Sequence, residues 1–299
     1  MKKSVSLLLA ALMLTGALAG CGSSASASDT HAADGADSGV SGAITVISRE
    51  DGSGTRGAFI ELTGVEEKTA DGKKVDNTTA DAEIANKTDV VLTSVAGNEK
   101  AIGYISLGAL NDTVKAVKVD GAEATVDNVK AGAYKLSRPF NIATKGEPTG
   151  VAKDFINFIL SKEGQAVVTD NKYIAVDDVA EAFVSDGSSG QIAVGGSSSV
   201  SPVMEKLIEA YKSVNPNASI DLQTSDSTSG MTGAMDGTFA IGMASRELKD
   251  EEAAQLTGTA IALDGIAVIV NPANTIDELS MDQIKSIYVG DITDWGDLA

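Results

Sequence analysis

Residues 49–57 read Arg49-Glu50-Asp51-Gly52-Ser53-Gly54-Thr55-Arg56-Gly57, between the run Ala43-Ile44-Thr45-Val46-Ile47-Ser48 and the helix-like Ala58-Phe59-Ile60-Glu61-Leu62. A short β-branched apolar run reads as a buried strand, so this stretch predicts a strand, a Gly/Ser loop and a helix N-terminus. Unpaired amides and the positive end of the helix dipole then point at one spot, which is an anion site. The pattern returns downstream. Strand-like Gln191-Ile192-Ala193-Val194 precedes Gly195-Gly196-Ser197-Ser198-Ser199-Val200-Ser201-Pro202. The helix that follows places Val203, Leu207, Tyr211 and Val214 on one face, with Pro202 suited to its first position. A third loop, Ser225-Asp226-Ser227-Thr228-Ser229-Gly230, lies between strand-like Ser219–Gln223 and a short helix. One such loop is ordinarily a turn and a cap; three, each after a strand and before a helix, point to a ligand.

The remaining chain alternates in the same way. Helix-like pieces are Asp89–Ala96, Thr149–Leu160 and Met281–Tyr288. Strand-like pieces are Ala101–Ile105, Ala116–Val119, Phe140–Thr144, Phe239–Met243 and Ile266–Val270. Such alternation indicates α/β layers with mostly parallel sheets. A length of 299 residues suits two domains, and 43% hydrophobic residues exclude a disordered chain. The net charge of −19 argues against a nucleic-acid partner, whose phosphates need clustered Lys and Arg. One cysteine excludes a disulfide framework or Cys-rich zinc site, and the one histidine, His31, lies in a polar tail. No metal and no cofactor are expected. Nor is an enzyme, since serines abound without a usable histidine base and acids sit in solvated runs such as Lys249-Asp250-Glu251-Glu252. Met281 and the lone Trp295 read as packing residues.

Lys2 and Lys3 precede the apolar run Val5–Leu14, which reads as a secretory signal over residues 1–20. Leu18-Ala19-Gly20-Cys21 resembles the lipobox of bacterial lipoproteins, which implies cleavage before Cys21 and its lipidation. An ordinary secretory signal with a chance cysteine is the alternative. Residues 21–42, rich in Ser, Ala, Gly and Asp, read as a flexible tether. The protein is thus expected outside the cell, anchored to the membrane.

Gly52-Ser53-Gly54-Thr55-Arg56-Gly57 also matches the dinucleotide fingerprint G-x-G-x-x-G. Arg49-Glu50-Asp51 separate it from its strand, however, and no strand ending in a ribose-binding acid follows. No Gly-Lys-Ser/Thr ends any loop, which excludes a Walker loop. Arg49 and Asp51 flank the glycine turn. A buried arginine can fork onto an oxyanion. A carboxylate beside an anion makes sense where the ligand carries a proton, as monohydrogen phosphate does and sulfate does not. A surface Arg–Asp turn pair is the simpler alternative.

These residues resemble the extracellular phosphate-binding protein of the bacterial phosphate ABC importer. The resemblance is carried by Ser48–Phe59, Ala101-Ile102-Gly103-Tyr104-Ile105-Ser106-Leu107-Gly108 and Ser137-Arg138-Pro139-Phe140. Ile241-Gly242-Met243-Ala244-Ser245-Arg246-Glu247-Leu248 and Asp264–Pro272 complete it. The resemblance implies phosphate contacts from Arg49, Asp51, Ser53, Gly54 and Thr55 in one lobe. Ser198, the Ser199 backbone, Thr228 and Ser245 would contact it from the other. Ser245 stands where some relatives have a second aspartate, leaving Asp51 as the main proton acceptor, and Thr228 replaces a usual serine. Segment order differs from those relatives: there the Gln191–Pro202 stretch opens the mature chain, and the Trp295–Leu298 stretch runs directly into Ala43–Ser48. The chain therefore reads as circularly permuted, with Asp177–Gly190 linking the old ends; an excerpt of a longer gene is the rival account.

The expected architecture is a two-lobed α/β fold of the periplasmic-binding-protein type, class II, hinged by two crossing strands. Residues 43–135 with 272–299 would form one lobe and 136–271 the other, with an internal linker at 177–190 and hinge strands near Leu136–Phe140 and Val270–Pro272. Phosphate in the cleft would favour closure, and the loaded protein would dock on permease subunits. The alternatives are a receptor for sulfate or molybdate, a phosphate sensor, or an extracellular phosphate-ester hydrolase.

Overall fold

The structure is a computed structural model that describes residues 40–298. The signal segment, Cys21 and nearly all of the tether therefore lie outside the described residues. In chain order the elements begin with β1 (Thr45–Arg49), α1 (Gly54–Thr63), a hairpin of β2 (Glu66–Lys68) and β3 (Lys74–Asp76), and β4 (Glu83–Ala85). There follow α2 (Thr88–Ala96), β5 (Ala101–Ser106), β6 (Lys115–Ala116), β7 (Lys118–Val119), α3 (Val126–Lys130) and β8 (Ser137–Thr144). Next come α4 (Gly150–Leu160), α5 (Lys162–Asp170), β9 (Gly190–Ser197), α6 (Ser201–Val214), β10 (Ala218–Ser225) and α7 (Ser227–Asp236). The last are β11 (Ile241–Ala244), α8 (Asp250–Ala253), β12 (Thr257–Val270), β13 (Glu278–Leu279) and α9 (Met281–Val289).

The main sheet runs β10-β9-β11-β8-β12-β5-β1-β4, and its two ends belong to different lobes. Around β1 and β5, strands pair in parallel, as do β9, β10 and β11. The antiparallel strands β8 and β12 join these halves. The buried apolar side chains gather into two large cores, with a small third cluster around Met231, Ala234 and Leu256. The first gathers β1, β5 and the end of β12 under α1, α2 and α9, with Phe59 stacked 3.9 Å from Tyr104 and Trp295 buried. The second gathers β8, β9 and β11 under α4 and α6, around Phe140, Phe155, Phe158 and Tyr211. Each fully buried aromatic or aliphatic side chain contributes about 1.5–3 kcal/mol by leaving water.

The chain passes into the β8 side of the sheet at Ser137 and returns along β12. Residues 257–265 of β12 pair with β8, whereas Ile266–Val270 already pair with β5. The return crossing is therefore at Asp264–Ile266. One 14-residue strand serves both sheets because its later half is continuously apolar and can be buried on both faces.

The Asp177–Gly190 segment is a strap rather than a loose linker. Lys162 N donates to Glu181 O at 2.8 Å, Phe183 N to Glu163 at 2.7 Å, and Phe183 packs edge-on against Phe158. Asp154, 1% exposed on α4, accepts from Ser185 Oγ, Asp186 N, Tyr211 Oη and Asn215 Nδ2 at 2.7–3.1 Å. Burial pushes its pKa up, but these bonds outweigh burial and hold it below the usual range. Asp154→Ala is expected to cost about 3 kcal/mol, because it leaves several buried donors unpaired. Thermal melts at pH 7 should show a midpoint lower by roughly 5–10 °C. Stabilisation by a depressed carboxylate is present above its unfolded pKa of about 4 and is lost as pH falls through the folded value. The gap between parent and variant should accordingly close in acid.

At the opposite side, Ile44 N donates to Thr293 O at 2.8 Å and Trp295 N to Gly42 O at 3.1 Å. Residues 42–44 and 293–295 thus lie side by side.

Candidate anion-binding site

β1 ends at Arg49, and Ser53 caps α1 by accepting from Arg56 N. This leaves the Gly54 and Thr55 amides in the first helical turn, where the helix offers no acceptor. Across the lobe boundary, β9 ends at Ser197, α6 starts at Ser201, and Asp226 caps α7 by accepting from Ser229 N. Gly196 allows this meeting: its φ is +135°, and a Cβ there would lie 2.3 Å from Met243 O.

The two lobes meet through buried hydroxyls and the guanidinium groups of Arg49 and Arg138. Arg49 Nη2 donates to Ser198 Oγ at 3.1 Å, and Nη1 lies 3.4 Å from Thr88 Oγ1. Thr55 Oγ1 lies 2.8 Å from Ser199 Oγ and 3.4 Å from Ser245 Oγ. Ser197 Oγ reaches Ser245 Oγ at 3.0 Å, and Ser245 N donates to Ser227 Oγ at 3.1 Å. Arg49, Ser53, Gly54, Thr55, Ser198, Ser199 and Ser245 are all buried. Ser199 N donates to Ser197 Oγ at 3.3 Å. Beside this cluster, a cavity of about 670 Å³ separates Glu61 and Leu62 of α1 from Arg246–Glu251, with Arg138 in its wall.

Asp51 does not join the cluster. Its side chain is 96% exposed and pairs with Arg56 Nη1 at 3.0 Å. Glu50 takes the place beside Arg49, accepting from Nε and Nη2 at 2.8 Å each. The physical reason is that Arg56 in α1 holds the Arg49 carbonyl at 2.7 Å and draws Asp51 to its outer side. Thr228 is also placed differently: its N and Oγ1 both face Gly52 O, at 3.2 and 3.3 Å, so it ties the loop to α7.

Sequence reasoning assigned no role to Thr88, Ser197, Ser227, Arg138 or Asp264. For the last two a signal existed, since a lone charge inside an apolar strand run needs a partner. They face each other on β8 and β12, with Arg138 Nη2 3.4 Å from Asp264 Oδ2. Burial lowers Arg138 to about 10 and raises Asp264 to about 6, each opposed by the other's charge.

Two lobes, two connecting strands and a buried, donor-rich polar cluster between them define a fold of the two-lobed ligand-binding class. A family model for the PBP superfamily domain matches residues 25–163 and 182–299. A phosphate-binding protein PstS 2 from Streptococcus agalactiae is 50% identical over 300 residues, covering 99% of this chain and 98% of its own. Another from Streptococcus pneumoniae is 48% identical over 296 residues, covering 99% of each. The crystal structure of a phosphate-binding protein of a phosphate ABC transporter from S. pneumoniae matches with a TM-score of 0.69 at 50% identity. It covers 86% of this chain and 100% of that one. The chain belongs to the PBP superfamily and, within it, to the phosphate-binding proteins of phosphate ABC transporters. Among the described residues, no His, Cys, Asp and Glu side chains gather to hold a metal, and no helix is long and apolar enough to cross a membrane.

Proposed function

We propose that this protein binds inorganic phosphate between its lobes, outside the cell, and delivers it to the permease subunits of an ABC importer. The observation that carries this reading is the joining of Arg49 to Ser198 and of Thr55 to Ser199 across the lobe boundary. Each hydroxyl can turn from its neighbour to donate to an oxyanion. Arg49 supplies charge, and the amides of Gly54 and Thr55 supply the helix-start donors. Ser53 shapes that start as the cap, and Ser199 and Ser245 close the other side. Thr228 acts at one remove by holding Gly52. The net charge of −19 repels anions at long range, so capture rests on these short-range donors in a dry cleft. Ligand contacts available only when both lobes meet would drive closure.

The test is calorimetric titration of the protein with phosphate, sulfate and molybdate, alongside an ester substrate assayed for turnover. Phosphate should bind with a 1:1 stoichiometry and a compaction visible by X-ray scattering. Tighter sulfate or molybdate binding, or ester turnover, would overturn the reading. Selectivity for a protonated anion has no free carboxylate in the cluster to rest on. Hydroxyl oxygens, which accept as well as donate, are the remaining proton acceptors. Asp51→Asn is accordingly expected to change phosphate affinity by less than about fivefold, the scale of a surface ion pair. Glu50→Gln should have a larger effect, because an amide can accept through its one oxygen where the carboxylate holds two Arg49 N–H groups with two.

The sequence Leu18–Cys21 supports lipid anchoring at Cys21, and the family relationship supports an extracellular position. Two observations support reading the segment order as a circular permutation: residues 42–44 lie against 293–295, and the 177–190 strap is bonded to α4 and α5. The streptococcal proteins, which align with the chain nearly end to end, share its segment order.

A further inference from the structure

We propose that Arg138 is a positioning residue of the interlobe site, fixing the Thr55 hydroxyl as a hydrogen-bond donor aimed at the bound anion. The inference rests on the reading that the anion occupies the cluster around Arg49 and Thr55. Arg138 Nη2 lies 3.0 Å from Thr55 Oγ1. A guanidinium has donors only, so the Thr55 oxygen must accept this bond. Its own proton then has to go elsewhere, and the acceptors in reach are Ser199 Oγ and Ser245 Oγ on the opposite lobe. A freely rotating hydroxyl could turn its proton away from an anion; with one lone pair held by Arg138, the Thr55 proton is excluded from that side and directed toward the cleft.

The guanidinium is itself held. Arg138 sits opposite Asp264 where the two hinge strands pair, and lies 5.4 Å from the Phe140 ring centre. Asp264 Oδ1 accepts from Gly108 N at 3.3 Å, which ties the carboxylate to the turn after β5. Arg138 is 2% exposed, yet among the described residues its Nε and Nη1 find no acceptor, and Asp264 Oδ2 near its Nη2 makes no hydrogen bond either. A pure structural ion pair would be expected to satisfy those donors. Left unmet, they keep a positive field behind Thr55 that an oxyanion would relieve.

The experiment is a double-mutant cycle on the full chain with inorganic phosphate, read by calorimetry and thermal melting. Thr55→Val and Arg138→Met should each lower affinity about tenfold or more. The double variant should be no more than about twofold weaker than Thr55→Val, since Arg138 acts through that hydroxyl. Because Arg138→Met alone buries an unpaired carboxylate, Arg138→Met with Asp264→Asn provides a charge-balanced form. Its native-like melting with reduced affinity supports the proposal, and its parental affinity overturns it. Losses that multiply in the double variant also overturn it. Unchanged affinity in Thr55→Val defeats the site reading itself, and the inference with it, which is a separate and recognisable failure.

Discussion

Arg49→Ala is expected to lower phosphate affinity by at least about a hundredfold, the consequence of losing a buried charge worth about 3 kcal/mol in a charge-assisted contact. Arg49 is 2% exposed and spans the site, reaching Ser198 in one lobe and Thr88 at the start of α2 in the other. Its removal takes away the guanidinium nearest the hydroxyl cluster and the bond that joins the lobes. Stability should fall far less than affinity. Glu50, the partner left behind, is 20% exposed and can hydrate. Arg49→Lys should fall between, because an ammonium keeps the charge but cannot fork to Glu50 and Ser198 together. Calorimetry with phosphate, paired with melts in its absence, separates the two effects. Parental affinity in Arg49→Ala would remove Arg49 from the site.

Gly54→Ala is expected to have a comparable effect on binding by a different route. A Cβ at Gly54 would lie 2.4 Å from Ser227 Oγ, 2.8 Å from Ser245 Oγ and 3.0 Å from the Ser245 carbonyl carbon. The serine hydroxyls could turn aside; the backbone could not. The methyl therefore acts as a wedge between the lobes at the place where they close on the ligand. Within its own lobe the change is harmless, since Gly54 is the first residue of α1 and alanine favours a helix over glycine by up to about 1 kcal/mol. The expected signature is an unchanged melt without phosphate and a hundredfold or greater loss of affinity. The rise in melting temperature that phosphate gives the parent should vanish with it. X-ray scattering should show dimensions that no longer contract on adding phosphate. A variant that binds and compacts like the parent would show that Gly54 does not limit closure.

Much of the fold was legible because it rests on local rules. The run Thr45–Ser48 is β-branched and apolar, Ser53 is a helix cap, and Pro202 opens a helix. All three operate within a few residues and recur as β1, α1 and α6. The hairpin of β2 and β3 escaped notice because Glu66–Lys68 and Lys74–Asp76 carry charges rather than an alternating apolar face. The first half of β12 escaped because Gly258, Asp264 and Gly265 interrupt what would otherwise read as a strand. Its pairing with β8 overrides that weak propensity. The position of the Asp51 side chain was not legible for a simpler reason. Neighbouring residues at a strand end point to different sides, and the outward pull of Arg56 on Asp51 is a tertiary fact.

The amino-acid order by itself determined the class of molecule: α/β lobes, Gly/Ser loops at helix starts, and a family resemblance through Arg49–Thr55. It could do so because strand and helix periodicity and capping act over short distances along the chain. Only the tertiary structure decided which of those loops share a cluster, that Glu50 rather than Asp51 holds Arg49, and that Arg138 reaches Thr55 from the hinge. The first and last of these depend on contacts between residues more than eighty positions apart, Arg49 with Ser198 and Arg138 with Thr55. They are set by how two cores, joined by two strands, bring their polar rims together.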